Sequence, residues 1–314
     1  MAKMIGKRLL QVIPMLFVLS IISFLLIKLA PGDPVRMYVT PNMKPEDVER
    51  IRESLGLNDH IIVQYVKWLT ELLQGNLGYS IRTSQPVLDE IMVRILPTLG
   101  LMGAAILLTL VISIPLGLIA ANKENSIFDR MFNLFAYVGI SIPSFWLGIL
   151  LIIFFAIKLQ WFPTMGMRTI GMNTWGDLLS HAVLPVIALT FHSFAVYYRY
   201  VRSNTISELK EEYVQFQRAK GLSRTEIIKN HVLKNVLLPI ITLLGMSLPS
   251  LVSGAFIIEK IFSWPGMGTY GIDAIFAFDY PVIMAITLLS GLLLIIGNLL
   301  ADITYQIIDP RIRK

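Results

Sequence analysis

The sequence predicts an all-α integral membrane protein with six transmembrane helices, N and C termini both cytoplasmic, a small helical external subdomain and a helical cytoplasmic loop. Three observations carry that prediction. Of 314 residues 55% are apolar and only 15% charged, too few polar side chains to cover a soluble globule of this size. Six apolar stretches each reach the roughly 20 residues that a helix needs to cross hydrocarbon. With the N-terminus inside, the short cytoplasmic segments hold sixteen of the 27 Lys and Arg, and the two short external loops hold three. The long external loop holds seven, but its length puts it beyond the reach of the rule.

Residues 1–30 comprise a basic start, with Lys3, Lys7 and Arg8, and a first span from Leu9 to Leu29. That run is too long for a signal-peptide core and no cleavage site follows it, so it is expected to stay in the membrane. Pro31-Gly32-Asp33-Pro34 ends it abruptly. Residues 31–96 are too polar to span, yet they carry helical periodicity. Pro45-Glu46-Asp47 opens a helix that lines Val48, Ile51 and Leu55 and closes at Gly56; Ile62, Tyr65, Val66, Leu69, Leu72 and Leu73 make a second, up to Gly75. A third short helix is expected from Pro86, carrying Val87, Ile91 and Ile95 towards Pro97.

Residues 97–304 form the membrane core, with spans at 97–121, 131–157, 181–201, 236–258 and 281–303, and 305–314 a cytoplasmic tail. Nine residues join the second and third spans, making them antiparallel neighbours. Trp161, Phe162 and Trp175 are placed as interfacial anchors in the next external loop. Gly245, Ser247, Pro249, Ser250, Ser253 and Gly254 suit close helix packing or a pore wall.

Composition excludes several chemistries. There are no cysteines, hence no disulfide framework, thiolate metal site or Cys nucleophile. The net charge of +6 sits beside apolar spans, which points to anionic lipid and topology rather than nucleic acid. No GxxxxGK[ST] phosphate loop is present, and neither GxSxG nor HExxH occurs. An intramembrane hydrolase pairing His192 with Ser253, Ser141 or Ser144, and a passive channel, are the competing classes.

The most informative stretch is 205–235, the longest polar run between two spans. Ile206, Leu209, Tyr213, Phe216 and Ala219 recur at spacings of three and four, predicting one amphipathic helix. Gly221 supplies a left-handed closing residue, and Ser223-Arg224-Thr225-Glu226 reads as a capping box that starts a second helix. The expectation is helix, Gly elbow, helix.

Gly221-Leu222-Ser223 through Asn235, with His231, Leu233 and Asn235 in place, resembles the cytoplasmic coupling loop of ABC importer permeases. Gln215-Phe216-Gln217 departs from the generic Glu-Ala-Ala, while Glu212-Tyr213-Val214 and Arg218 to Ser223 resemble the dipeptide/oligopeptide/nickel branch. Ala30–Pro34, Gly75–Ile91, Ser263–Gly271 and the closing Asp309–Arg313 are similar to the same branch.

That resemblance implies a permease subunit rather than an enzyme, importing short peptides by ATP-driven alternating access; a nickel or metal-chelate importer is the alternative. It implies a second homologous permease, one or two ATP-binding subunits that hold ATP and Mg, and an extracytoplasmic solute-binding protein. No cofactor, no metal and no nucleic acid are expected in this chain, and the location is a bacterial or archaeal cytoplasmic membrane. Coupling to the ATPase would fall to Glu212, Tyr213, Arg218, Ala219, Lys220, Gly221, Leu222, Ser223, Glu226 and His231. Candidates for a translocation path are Ser141, Pro143 and Ser144 in the third span, His192 in the fourth, Ser247 and Ser250 in the fifth, and Asn298 in the sixth. Each of these equally suits helix packing.

Overall fold

The computed structural model describes residues 2–29, 35, 39, 43–54, 56–249, 251 and 255–308. Ser250, Ser253, Gly254, Leu55, the Ala30–Pro34 segment and the Asp309–Arg313 tail lie outside the described residues, as do the side chains of Lys3, Lys7, Arg8 and Asp302.

The described elements are helical. They are α1 (Ala2–Leu29), α2 (Pro45–Ser54), α3 (Ile61–Leu73), α4 (Val87–Asn122), α5 (Ile127–Ser141) and α6 (Ser144–Leu151), which continues as a π-helical stretch, Ile152–Lys158. Next come α7 (Trp175–Glu208), α8 (Glu212–Ala219) and α9 (Arg224–Ile227), which passes through a π-helical Ile228–Val232 into α10 (Leu233–Ser247). The chain finishes with α11 (Phe256–Ile261), α12 (Met267–Phe276) and α13 (Tyr280–Ile308). Among the described residues four helices are long and apolar enough to cross a membrane: α4, α7, the run Arg224–Ser247, and Tyr280–Ala301 of α13. In α1 the stretch Val12–Leu25 is a shorter apolar helix.

The expected third span, 131–157, is not one straight helix. It breaks between α5 and α6 with a bend of 100°. Ile142 and Pro143 both have extended backbone; proline's ring disfavours helical conformation in the residue before it, here Ile142. Pro97 has the opposite outcome. The expected short helix at Pro86 and the span beginning at Pro97 are a single 36-residue helix that runs through Pro97 and Pro115. The Pro97 carbonyl accepts from Trp264 Nε1 at 3.0 Å, so the backbone there is held from outside the helix.

The helices α4 and α7 form the spine. They meet where Gly117 lets Val201 approach: a Cβ on Gly117 would lie 2.7 Å from the valine side chain. On the other side of α7, Gly139 of α5 sits against Ala195. Further out, α10 meets α13 with the backbones of Gly245 and Gly297 in contact. Small residues at these crossings replace the hydrophobic drive that lipid does not supply.

At the end of the bundle that holds the start of α4, a polar cap is folded around three carboxylates, Asp279 and Glu259 buried and Glu90 half-buried. Asp279 accepts from Ser80 Oγ at 2.5 Å and from the Ile81 and Arg82 backbone N–H groups. Glu90 accepts from the Tyr270 hydroxyl at 2.7 Å and from Thr83, and pairs with Arg94. Glu259, fully buried, accepts from Thr98 Oγ1 at 2.9 Å and from the N–H groups of Gly268 and Thr269 at the start of α12. Between the carboxylates an apolar cluster of Val87, Ile91, Met267, Tyr270, Ala274 and Val282 seals α4, α12 and α13 together.

Burial raises the Glu259 carboxyl above its ordinary value near 4.5, outweighing the four hydrogen bonds that favour its charge. The folded cap therefore retains a proton that the unfolded chain has already released. Its stability contribution is greatest below that ordinary value and falls as pH rises through the raised one. Thermal unfolding of the purified protein should show this fall in the wild type and a flatter pH profile in Glu259→Gln; identical profiles would refute the assignment. Glu259→Ala should melt lower than either, since each buried N–H left without an acceptor costs about 1–3 kcal/mol.

Candidate functional site

At the opposite end of the bundle the chain leaves α7, forms α8 and returns as α9. The single amphipathic helix expected before Gly221 is two pieces. α7 runs on to Glu208, a turn occupies Leu209–Glu211, and Glu211 has the extended backbone that starts α8. The turn is set by burial: Leu209 and Val214 both enter the cluster of Val201, Ile227, Ile228, Val232, Val236 and Ile240. A continuous helix would have carried Phe216 inward, whereas it is 59% exposed.

The elbow itself follows the expected local chemistry. Gly221 has φ +87, its N–H donates to Arg218 O at 2.9 Å, and the Leu222 N–H donates to Gln217 O at 3.3 Å. These two bonds make a Schellman closure, with Leu222 packed on the apolar cluster as that motif requires. Ser223 then accepts from the Glu226 N–H at 3.3 Å, and Glu226 accepts from the Ser223 N–H at 2.8 Å. Both halves of the capping box are present, so the second arm starts one residue after the first has closed.

Three polar contacts fix the elbow to the bundle. Glu208 Oε2, at the end of α7, accepts from the Tyr213 hydroxyl of α8 at 2.7 Å and from Asn235 Nδ2 of α10 at 2.9 Å. Burial, and then this hydrogen bond, push the Tyr213 hydroxyl above its ordinary range. Arg224 donates to Ala121 O, the end of α4, at 3.0 Å. Apart from these three, Arg202 of α7 holds Asp129 of α5 through both carboxylate oxygens and so joins two bundle helices rather than the elbow. Sequence reasoning missed Glu208 as a clamp, because its partners lie five and 27 residues away and no periodicity links them.

The named elbow residues divide by exposure. Glu212, Arg218, Ala219, Lys220, Gly221, Ser223 and Glu226 are exposed; Tyr213, Leu222 and His231 are half-buried, with His231 in the π-helical stretch. The tip is therefore a free polar surface with one aromatic, Phe216, whose ring carries the Lys220 ammonium 4.4 Å from its centre.

The path candidates are not gathered into one place. Ser141, Pro143, His192 and Asn298 are exposed, and Ser144 and Ser247 half-buried. Ser141 bonds Tyr137 O within its own helix, and Ser247 bonds Tyr197 of α7. However, His192 shares one face of α7 with Val196, Arg199 and Ser203. Among the described residues His192, Arg199 and Ser203 are exposed and Val196 half-buried, and the face borders a cavity of about 400 Å³ lined by Ile140, Val196, Arg199, Tyr200, Ser203 and Asn204. Arg199 lies 5.0 Å over the Tyr137 ring. Its spacing of seven from His192 was the signal available in the sequence. Among the described residues no group of three or more His, Asp or Glu is placed to hold a metal ion.

Comparison with known families now decides the identity. Residues 113–314 match the family described as binding-protein-dependent transport system inner membrane component, and residues 1–102 match its N-terminal companion family. The chain belongs to this family of ABC importer permeases. The permease is 42% identical to the oligopeptide transport system permease protein AppB of Bacillus subtilis, over 99% of both chains. It is 37% identical to the glutathione transport system permease protein GsiC of Escherichia coli, over 98% of this chain and 97% of that one. Among solved structures, an inward-facing MetNI methionine ABC transporter chain matches 72% of the permease and 100% of its own length, with a TM-score of 0.57 at 16% identity. That likeness shows the shared fold. The permease is thus a multi-pass bacterial inner-membrane protein that works with ATPase and substrate-binding components.

If Glu208 is the clamp that joins the two arms, Glu208→Ala should loosen the elbow by about 1 kcal/mol for each net hydrogen bond lost. Limited trypsin digestion of the purified permease should then cut faster at Lys210, Arg218 or Lys220 than in the wild type. Unchanged cleavage would show that apolar packing alone holds the elbow.

Proposed function

We propose that the permease is one half of the membrane channel of an ABC importer for short peptides. It has six spans with both termini cytoplasmic, and separate subunits hydrolyse the ATP. The observation that carries this reading is the elbow: two helices joined with no slack by a Schellman closure and a capping box, anchored to α4, α7 and α10, with an exposed tip. A rigid knob transmits force; a flexible linker lying on lipid would need neither the closure nor the clamps. In this reading Arg218 to Ser223, with Glu212, Tyr213, Glu226 and His231, seat the knob in a groove of one ATP-binding subunit.

Short peptides are favoured as cargo because relatives matching nearly the whole chain are named for oligopeptide and for glutathione transport, and glutathione is itself a short peptide. A second homologous permease faces the open side of α7, where His192, Arg199 and Ser203 would be costly against lipid and acceptable beside a watery path. The solute-binding protein delivers cargo to the capped end, where Glu259, Glu90 and Asp279 hold the loops rigid.

Two experiments test the reading. A Cβ on Gly221 meets no atom within 4 Å, so the main cost of Gly221→Val lies in the backbone, about 1–3 kcal/mol for a β-branched residue at positive φ. The variant should accumulate in the membrane at wild-type levels and lose most peptide uptake; undiminished uptake would refute the elbow's role. Purifying the tagged permease from native membranes in mild detergent should recover one or two ATPases and a second six-span protein by mass spectrometry. Recovery of this chain alone, even after crosslinking through Lys220 or Lys229, would return the passive channel to first place.

A further inference from the structure

The helix α3 belongs by sequence to the external subdomain, yet one of its faces is seated on α1. Tyr65 OH and Ser20 Oγ are 2.8 Å apart, and the Tyr65 ring lies edge-on to Phe24 and Phe17, with centroids 5.4 and 6.4 Å away. Trp68 lies 5.8 Å from Phe24, and Gln64 accepts from Lys28 Nζ. Lys28 and Ser20 are eight residues apart, about 12 Å along the axis of α1. These contacts orient α3 about its own axis. Turning around it from Gln64 through Trp68 to Tyr65 descends α1 from its end towards the middle of the span.

Continuing that rotation at about 100° per residue brings up Leu69, Ile62, Leu73 and Val66 in succession. Thr70, Val63, Lys67 and Glu71 occupy the reverse side, where Lys67 pairs with Asp59 and Glu71 accepts from Asn76. Ile62, Val66 and Leu73 are 64%, 53% and 79% exposed among the described residues. They point along α1 towards the hydrocarbon, and the charged side points away from it.

We propose that α3 lies in the outer headgroup layer of the bilayer, with Ile62, Val66 and Leu73 inserted among the acyl chains. Lipid, rather than a protein partner, covers this face. Tyr65 reaches below the helix to a hydroxyl inside the span, and Trp68 sits at the depth where its amphipathic ring is favoured. The subdomain is thereby held at a fixed height above the membrane by a second contact besides its own chain connections. The proposal rests on α1 spanning the membrane with Leu29 near the outer face.

Because the chain has no cysteine, each substitution gives it a single nitroxide-labelling site, and labelling before assembly keeps the partner subunits unlabelled. Val66→Cys, Leu73→Cys, Thr70→Cys and Glu71→Cys would be labelled in the assembled transporter in phosphatidylethanolamine/phosphatidylglycerol vesicles. Val18→Cys, on an exposed site of α1, serves as the lipid reference. Collision with oxygen relative to a soluble nickel chelate should be several-fold higher at 66 and 73 than at 70 and 71, approaching the value at 18. Equal nickel access at all four α3 sites, with 18 still in lipid, overturns the proposal and leaves the span intact. Exclusion of both reagents from 66 and 73 assigns the face to a protein and also overturns it. Nickel access at 18 removes the topology on which the proposal rests.

Discussion

One helix carries the anchors for both ends of the molecule. α4 is 36 residues, about 54 Å, without interruption. At its start Glu90 and Thr98 hold the capped end through Tyr270 and Glu259, and at its finish the Ala121 carbonyl holds Arg224 of the elbow. Two prolines inside it leave it continuous: its length is packed along α7, and the Pro97 carbonyl is bonded by Trp264. One continuous element therefore links the elbow to the capped end.

The charged groups of the bundle follow one rule: each buried charge has its partners in place. Asp129 is held by Arg202, by Asn133 and by the Asn125 N–H; Asp279 has three donors; Glu259 has three from other segments. A buried ion pair is weak evidence for net stability, since desolvation offsets much of the attraction. Breaking one is nevertheless expensive, so these groups specify where loops sit more than they add to stability. The glycines at 266 and 268 serve the same end. A Cβ at either would meet the Glu259 carboxylate, at 2.4 and 3.0 Å, so the Ser263–Gly271 segment closes around Glu259 only with glycine there.

The open face of α7 lies outside that rule. His192, Arg199 and Ser203 are polar, on a membrane helix, and exposed among the described residues. The bend at Ile142–Pro143 sets Ile140, near the end of α5, at one side of the cavity that Arg199 and Ser203 line.

The sequence by itself determined the all-helical membrane class and the elbow's local chemistry. Hydropathy reports length against hydrocarbon thickness, and Gly221 with the Ser223–Glu226 capping box acts on backbone groups within four residues. Local signals of that kind survive without a tertiary structure. What the fold alone decided was every outcome in which local preference met packing. Pro97 and Pro143 carry the same intrinsic penalty, yet the chain runs straight through one and turns 100° at the other. The helix drawn from Ile206 to Ala219 is broken at Leu209–Glu211 because Leu209 and Val214 are both claimed by the core. Glu208, Glu259 and Asp279 were invisible as organisers, since their donors lie up to 199 residues away and only the assembled bundle brings them within hydrogen-bonding reach.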